Sequence, residues 1–192
     1  MNTVTTAQGA PGADLLTLSG RPYELLFALE NRLRVARLDI AAGQTQSWTG
    51  LGFRMGDTWL VAPREDVREV ITPPKVTRVP GAKPWLLGVA NVRGNLLPVT
   101  DFGLFLGRPP AAEQRDQRVL VFNSERVPAG VLVDEVVGYR QFAPSDQRHE
   151  LARDAGDLQP YLLGGFVREG RNWLVLSLHK LTRSVTFTVA GL

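Results

Sequence analysis

The segment that most constrains how this chain can fold spans residues 85–107, which have the pattern of a tight β-hairpin. Two short apolar runs flank the turn at residues 93–95, where Gly94 can adopt a positive φ without steric cost. Apolar runs as short and dense as these are typical of strands that are buried on both faces. Pro98 has no backbone N–H to donate, so its strand is predicted to lie at a sheet edge or to carry a bulge.

A second hairpin repeats the pattern of the first. Trp85-Leu-Leu-Gly88 recurs as Tyr161-Leu-Leu-Gly164, and each copy is followed by a turn containing Arg and Gly and then by an apolar strand. Val67-Arg-Glu-Val70 parallels Val133-Asp-Glu-Val136 in the same way. Two copies of one unit, built from many short strands with Gly and Pro turns, favour small barrels. The predicted fold class is therefore all-β.

The other segments predict strands and turns arranged around these hairpins. Residues 51–63 are predicted to form a first hairpin with its turn at residues 56–58, and residues 63–71 are interpreted as a connector. The later predictions are a hairpin at residues 118–123 and 127–133, a polar loop at 141–159, and core-closing strands at 161–178. Residues 109–117 are polar and begin with two prolines, which makes them the best candidate boundary between two units.

The two ends of the chain differ from this all-β middle. Residues 1–14 are small and polar and are predicted to be disordered. Residues 22–40 predict an amphipathic helix, which packs on its own domain or docks a partner, with packing favoured. The predicted divisions are a tail plus helix at 1–46, a domain at 47–182 and a β-prone tail at 183–192. Within the domain, barrels are expected at about 48–108 and 112–182. An exchange of end strands between the two barrels is compatible with this division.

Composition narrows the chemistry that is open to this chain. None of the 192 residues is Cys, which excludes disulfides, thiolate nucleophiles and Cys-ligated metals. The 22 Lys and Arg against 19 Asp and Glu give a net charge of +3, and the Arg residues are scattered along the chain. No apolar run approaches the ~20 residues that span a bilayer, and the N-terminus lacks the pattern of a secretory signal. A cytoplasmic protein with no direct membrane insertion is therefore expected.

The side chains that catalysis requires do not converge in this sequence. Only two His are present, and His149 has no second ligand at a spacing that would bind zinc. Asp134 and Glu135 are neighbours on an apparent strand, so they are predicted to point to opposite faces. Asp101 is interpreted as a residue that orders the turn after its strand. These observations favour a binding protein over an enzyme, with no metal and no cofactor.

Residues 88–101 resemble the signature of the CheW family of chemotaxis adaptors. The shared pattern is a Gly, two further residues, an Asn-hydrophobic-Arg-Gly turn, and then Pro-hydrophobic-x-Asp. Three more segments are similar to the family, so the resemblance covers about residues 48–181; they are 67–71, 76–81 and 131–137. The sequence departs from the family pattern at Phe102-Gly103, where the family usually has Leu followed by a polar or basic residue.

This resemblance implies two five-stranded SH3-like barrels joined side by side, with an N-terminal helical extension similar to that of the PilI-like, pilus-linked branch. It implies a non-catalytic scaffold that joins the cytoplasmic tips of chemoreceptors to the regulatory domain of a CheA-type histidine kinase. The implied output is type IV pilus twitching motility. The Arg content leaves a second function open, nucleic-acid binding by a pair of small barrels, although scattered Arg and the absence of surface aromatic clusters count against it.

The resemblance also implies an ion pair between Arg93 and Glu69 that fixes the edge of a groove between the barrels. A receptor helix lying in such a groove is a known mode of peptide recognition. The three Val residues of this surface are equally compatible with a core position, and Gly88 with a close approach of two backbones. The predicted partner-binding residues are Val67, Glu69, Val70, Gly88, Val92, Arg93 and Gly94.

Overall fold

The structure is a computed structural model that describes residues 47–109, 115–124 and 128–191, together with 29, 32 and 33. The predictions for residues 1–14 and for the helix at 22–40 lie outside these residues, apart from the three isolated positions. No helix among the described residues is long and apolar enough to span a membrane.

Ten strands in this described part form two five-stranded sheets, as the all-β prediction requires. Sheet A has the order β8-β1-β2-β10-β9 and sheet B has the order β3-β6-β7-β5-β4. The strands of sheet A are β1 Trp48–Met55, β2 Thr58–Pro63, β8 Glu135–Phe142, β9 Leu162–Arg168 and β10 Arg171–Leu176. The strands of sheet B are β3 Val67–Ile71, β4 Leu86–Val92, β5 Asn95–Asp101, β6 Arg118–Phe122 and β7 Gly130–Val133.

The two sheets share one strand pattern, which matches the internal repeat of the sequence. Each sheet contains one parallel strand pair, β2 with β10 in sheet A and β5 with β7 in sheet B. All the other strand pairs within the two sheets are antiparallel. Sheet A combines β1 and β2 with β8, β9 and β10, whereas sheet B combines β6 and β7 with β3, β4 and β5. Each sheet therefore contains the first hairpin of one repeat and the last three strands of the other repeat. The sheets do not follow a simple division near residue 110, and the boundaries of the two barrels as units stay a prediction.

The strands at the centre of the molecule are buried on both faces. On β2, Val61 packs inside sheet A, while its neighbours Leu60 and Ala62 pack in a core that the two sheets share. On β6, Val121 packs inside sheet B and Leu120 packs in the same shared core. Since successive side chains point to opposite faces of a strand, burial on both sides requires an uninterrupted apolar run. This explains why these segments show so little alternation of polar and apolar residues.

Three assignments made from the sequence are wrong in detail. Residues 67–71 form strand β3 rather than a connector, because their backbone pairs with β6. The apparent strand at residues 131–137 ends at Val133 in sheet B, and the chain then enters β8 of sheet A at Glu135. Strand β5 is not at an edge: Pro98 lies opposite Val89 in the pairing with β4, and the pairing with β7 on the other side begins only at Val99.

The predicted polar loop at residues 141–159 is also more regular than expected. It begins with the end of β8 and contains three short helices, Pro144–Asp146, Glu150–Arg153 and Gly156–Tyr161. Arg148 N donates to Gly165 O at 2.8 Å, so part of this segment pairs with β9. This pairing helps to close sheet A around its own core.

The C-terminal segment is helical, although its Val and Thr content predicted a β-prone tail. Helix Leu178–Arg183 begins at Ser177, whose side chain accepts a hydrogen bond from Lys180 N at 3.2 Å, and helix Val185–Thr188 follows. Phe187 is buried and stacks on Trp85 with ring centroids 5.6 Å apart. Burial of this ring against the shared core outweighs the local β propensity, because propensity differences span only about 1 kcal/mol.

Replacing Phe187 with Ala is expected to lower the free energy of unfolding by about 3 to 5 kcal/mol, since a buried ring is lost and a cavity remains. The control Val185→Ala lies on the same helix at a position that is 74% exposed, and it should change that free energy by less than about 0.5 kcal/mol. Chemical denaturation followed by circular dichroism measures both. Similar small effects from the two variants would contradict the packing role of Phe187.

Candidate functional site

The β4–β5 turn holds its tip in one conformation. Arg93 and Gly94 both have positive φ, 52° and 85°, as a two-residue type I′ turn requires. Gly94 N donates to Asn91 Oδ1 at 2.9 Å, which ties the turn to the preceding strand. Asn95, which the sequence placed in the turn, is the first residue of β5. The Arg93 side chain therefore projects from a short and well-defined support.

The Arg93 guanidinium pairs with Glu69, as the family resemblance implied. Arg93 Nη2 lies 2.9 Å from Glu69 Oε2, and the two side chains are 77% and 19% exposed. Glu69 lies on β3 and Arg93 follows β4, and these are the two outermost strands of sheet B. The ion pair therefore bridges opposite edges of one sheet and marks its closure into a barrel.

Backbone hydrogen bonds close the same barrel beside this pair. Thr77 and Val89 exchange two N–H to O bonds of 2.8 Å each, joining the segment after β3 to β4. The groove between the two barrels, whose edge this pair is expected to fix, stays a prediction. The concavity at the ion pair has a volume of about 280 Å³, and all of its lining residues belong to sheet B; they are Arg68, Glu69, Val92, Arg93 and Asn95.

The structure divides the remaining predicted site residues into exposed and buried ones. Val70 is 39% exposed, and Val92 is half-buried and packs against the core of sheet B. Val67 is buried in the core that the two sheets share. Gly88 is buried as well. Val67 and Gly88 thus support the surface from below, while Val70 and Val92 lie where a partner can reach them.

Gly88 is required by a close approach of two backbones. Its φ is +147°, and a Cβ built at this position would lie 2.3 Å from Thr77 O. The pairing of β4 with β5 also shifts register between Leu86 and Gly88. The absence of a side chain allows the Thr77–Val89 hydrogen bonds that close the barrel.

The acidic residues singled out in the sequence, Asp101, Asp134 and Glu135, form hydrogen bonds or ion pairs within the fold. Asp101 Oδ1 accepts a hydrogen bond from Leu104 N at 3.0 Å and caps the short helix Phe102–Phe105, which confirms its interpretation as a residue that orders a turn. Glu135 Oε2 pairs with Arg54 Nε at 3.1 Å, and Asp134 lies in a bend between strands rather than on one.

Neither a metal-binding cluster nor a reactive lysine is found at the ion pair. Among the described residues, no group of three or more His, Asp or Glu is placed to hold a metal ion. Burial lowers the pKa of Lys180, whose Nζ donates to Leu162 O at 2.7 Å. This lysine lies in the C-terminal helix beside β9, away from Arg93, and it ties that helix to sheet A.

A larger concavity of about 530 Å³ lies between the β1–β2 turn and sheet B, and no sequence motif predicted it. Arg108 Nη1 lies 3.2 Å from Thr58 Oγ1 across this space, which links the segment after β5 to sheet A. No pattern in the sequence marked Arg108, because its partner is 50 positions away along the chain.

Comparison with known proteins assigns the family. The family described as CheW-like domain matches residues 49–186, which include all ten strands of the described part except Trp48, the first residue of β1. The chain belongs to this family.

Three known proteins show how similar the chain is to other members of this family and its fold. The chain is 42% identical to the protein PilI of Pseudomonas aeruginosa over 168 residues, covering 86% of this chain and 94% of that protein. It is 35% identical to FrzA of Myxococcus xanthus over 49% of this chain and 59% of that protein. The scaffolding protein TtCheW of Thermoanaerobacter tengcongensis has a similar fold, with a TM-score of 0.64 at 18% identity. That comparison covers 73% of this chain and 96% of TtCheW.

Gly88→Ala is expected to lower the free energy of unfolding by about 2 to 4 kcal/mol, because the new Cβ would clash with Thr77 O in a conformation that already disfavours side chains. Gly94→Ala is the matched control, since Gly94 also has positive φ but open space around it. It should cost only about 1 kcal/mol. Thermal and urea denaturation compare the two, and an equal loss would contradict the close backbone contact.

The coupling between Arg93 and Glu69 is expected to contribute less than about 1 kcal/mol to folding, because the guanidinium is largely exposed. A double-mutant cycle of Arg93→Ala, Glu69→Ala and the double variant measures it through urea denaturation. A coupling of several kcal/mol would instead identify the pair as a main determinant of stability.

Proposed function

We propose that this protein is a non-catalytic adaptor that couples methyl-accepting chemoreceptors to a CheA-type histidine kinase in a chemosensory pathway. The observation that carries the proposal is the rigid tip of sheet B, in a chain whose CheW-like domain spans residues 49–186. This tip presents an exposed guanidinium that pairs with Glu69, and the half-buried Val92 lines the same concavity. A charged group beside apolar side chains on a rigid support suits recognition of a protein partner.

The mechanism in this proposal is simultaneous binding without a covalent step. One barrel docks the regulatory domain of the kinase, while the surface around Arg93 and Val70 docks the helical tip of the receptor. Holding both partners on one scaffold raises the effective concentration of each for the other. A change in the receptor then affects the kinase, because the two binding sites on the scaffold are energetically coupled.

The proposed pathway is that of type IV pilus twitching motility. The similarity to PilI supports this choice, because it covers 94% of that protein at 42% identity. The setting that we propose is the cytoplasmic side of a receptor array, which the protein reaches through its partners rather than by direct membrane insertion.

Arg93→Ala is expected to weaken binding of a receptor tip fragment by about tenfold or more, while binding of the kinase regulatory domain changes less than about twofold. The loss of a central charged contact at an interface has effects of this size. Arg153→Ala, an exposed Arg on the helix Glu150–Arg153, is the control. Calorimetry with each partner from the same organism measures both affinities.

The outcomes of this experiment separate the function from the site. If Arg93→Ala changes neither kinase binding nor receptor binding, the proposed adaptor function stands and the proposed receptor-binding surface is wrong. No binding of the wild type to either partner would contradict the adaptor function. Steeply salt-dependent binding to an oligonucleotide would then favour the nucleic-acid alternative.

A further inference from the structure

The tip of sheet A repeats the backbone of the tip of sheet B but reverses its charge. Between β9 and β10, Glu169 and Gly170 have φ of 53° and 70°, close to the values of Arg93 and Gly94. The two turns occupy corresponding places in sheets of the same strand pattern. An acidic residue therefore stands at the position where sheet B carries its exposed Arg.

The strand that faces this second tip supplies Arg and aromatic side chains instead of an acidic partner. A concavity of about 230 Å³ lies between β8 and the β9–β10 turn. Strand β8 contributes Tyr139, which is 56% exposed, and the exposed Arg140. The turn contributes Arg168, Glu169 and Arg171. We call Tyr139, Arg140, Arg168 and Arg171 the arginine surface.

Positive charge on this surface exceeds the negative charge beside it. Glu169 pairs with the adjacent Arg168, with Oε1 3.5 Å from Nε, and both side chains are exposed, at 84% and 42%. Within the described part of the chain, neither Arg140 nor Arg171 forms an ion pair. Three guanidinium groups thus lie beside one carboxylate on sheet A, whereas at the tip of sheet B two, those of Arg68 and Arg93, lie beside Glu69.

Two aromatic rings at or beside this surface each have a guanidinium group near one face. The Arg171 guanidinium carbon lies 4.1 Å from the centre of the Trp59 ring, and that of Arg64 lies 5.6 Å from the Tyr139 ring. Trp173 is buried at the floor. Binding of single-stranded nucleic acid relies on several free ring faces for base stacking, whereas of these three rings Trp59 is stacked by Arg171, Trp173 is buried and only Tyr139 stays more than half exposed. A stacked guanidinium instead keeps its N–H edge free for a carboxylate.

We propose that the arginine surface docks an acidic segment of a partner protein, with carboxylates of that segment bound by Arg140, Arg168 and Arg171. Stacking on Trp59 restricts Arg171 before binding, which reduces the entropy lost when it pairs. Charge complementarity selects an acidic segment, and the adjacent exposed Tyr139 provides apolar contact. The proposal concerns sheet A and stands independently of the receptor and kinase assignments made for the protein.

The probe for this surface is a fluorescein-labelled 12-residue peptide of alternating Glu and Val. Its controls are the same peptide with Gln in place of Glu and a labelled 12-nucleotide oligothymidylate. The wild type is compared with Arg140→Glu/Arg168→Glu, which removes two guanidiniums and leaves the Trp59 stack intact. Arg78→Glu/Arg153→Glu changes the net charge equally at exposed positions elsewhere and is the matched control.

Fluorescence anisotropy is expected to show that the surface variant binds the acidic peptide at least tenfold more weakly than the wild type, while the control variant changes less than twofold. The Gln peptide should bind at least tenfold more weakly than the Glu peptide. Equal weakening in both double variants, or no binding of the acidic peptide by the wild type, would overturn the proposal. Tighter binding of oligothymidylate than of the peptide would overturn it in favour of nucleic acid.

Folding of the variants is checked independently of binding. Circular dichroism and thermal denaturation should match the wild type, because both substituted positions are at the surface. If the Glu variant fails to fold, Arg140→Gln/Arg168→Gln replaces it, and it should still weaken peptide binding by at least fivefold. The unlabelled acidic peptide should change the intrinsic Trp emission of the wild type more than that of the surface variant, because Trp59 and Trp173 lie at this surface, and an equal change in both proteins would also overturn the proposal.

Discussion

The apolar core shared by the two sheets is the interaction on which the rest of the structure depends. Leu60 of sheet A and Leu120 of sheet B are both fully buried in it. Burial of apolar surface is the main favourable contribution to folding, at about 25 cal/mol per Å². Since each sheet also has a small core of its own, the central strands are covered on both sides. The exchange of hairpins between the repeats then makes each sheet depend on both parts of the chain.

This core places the two hairpin tips on separate barrels and leaves them free for partners. The tips share one backbone conformation, because both turns need two residues with positive φ. They differ in side chains: Arg93 is paired with Glu69 across sheet B, whereas Glu169 lies among Arg residues on sheet A. Two surfaces of similar shape and different charge give a scaffold the means to distinguish two partners, because unlike charges attract and like charges repel.

The errors in the sequence-based assignments have a common cause. Strand β3 and the helix containing Phe187 are short, and their conformations are decided by contacts with distant segments. Residues 67–71 become a strand because β6 is beside them, and Phe187 is held in a helix by its contact with Trp85. The family resemblance likewise indicated that Arg93 and Glu69 pair, but not that the pair joins the two outermost strands of one sheet.

The all-β class, the internal repeat and the β4–β5 turn can be predicted from the amino-acid sequence, and the family resemblance adds the Arg93–Glu69 pair. These features are local, or they depend on motifs whose residues lie close together in the chain, so patterns of apolar residues and glycines reveal them. Three features became visible only in the folded chain: which strands exchange between the sheets, the burial of Val67 and Gly88, and the concavity that Arg140, Arg168 and Arg171 share. Such arrangements arise from packing between segments far apart in sequence, and no local pattern records that packing.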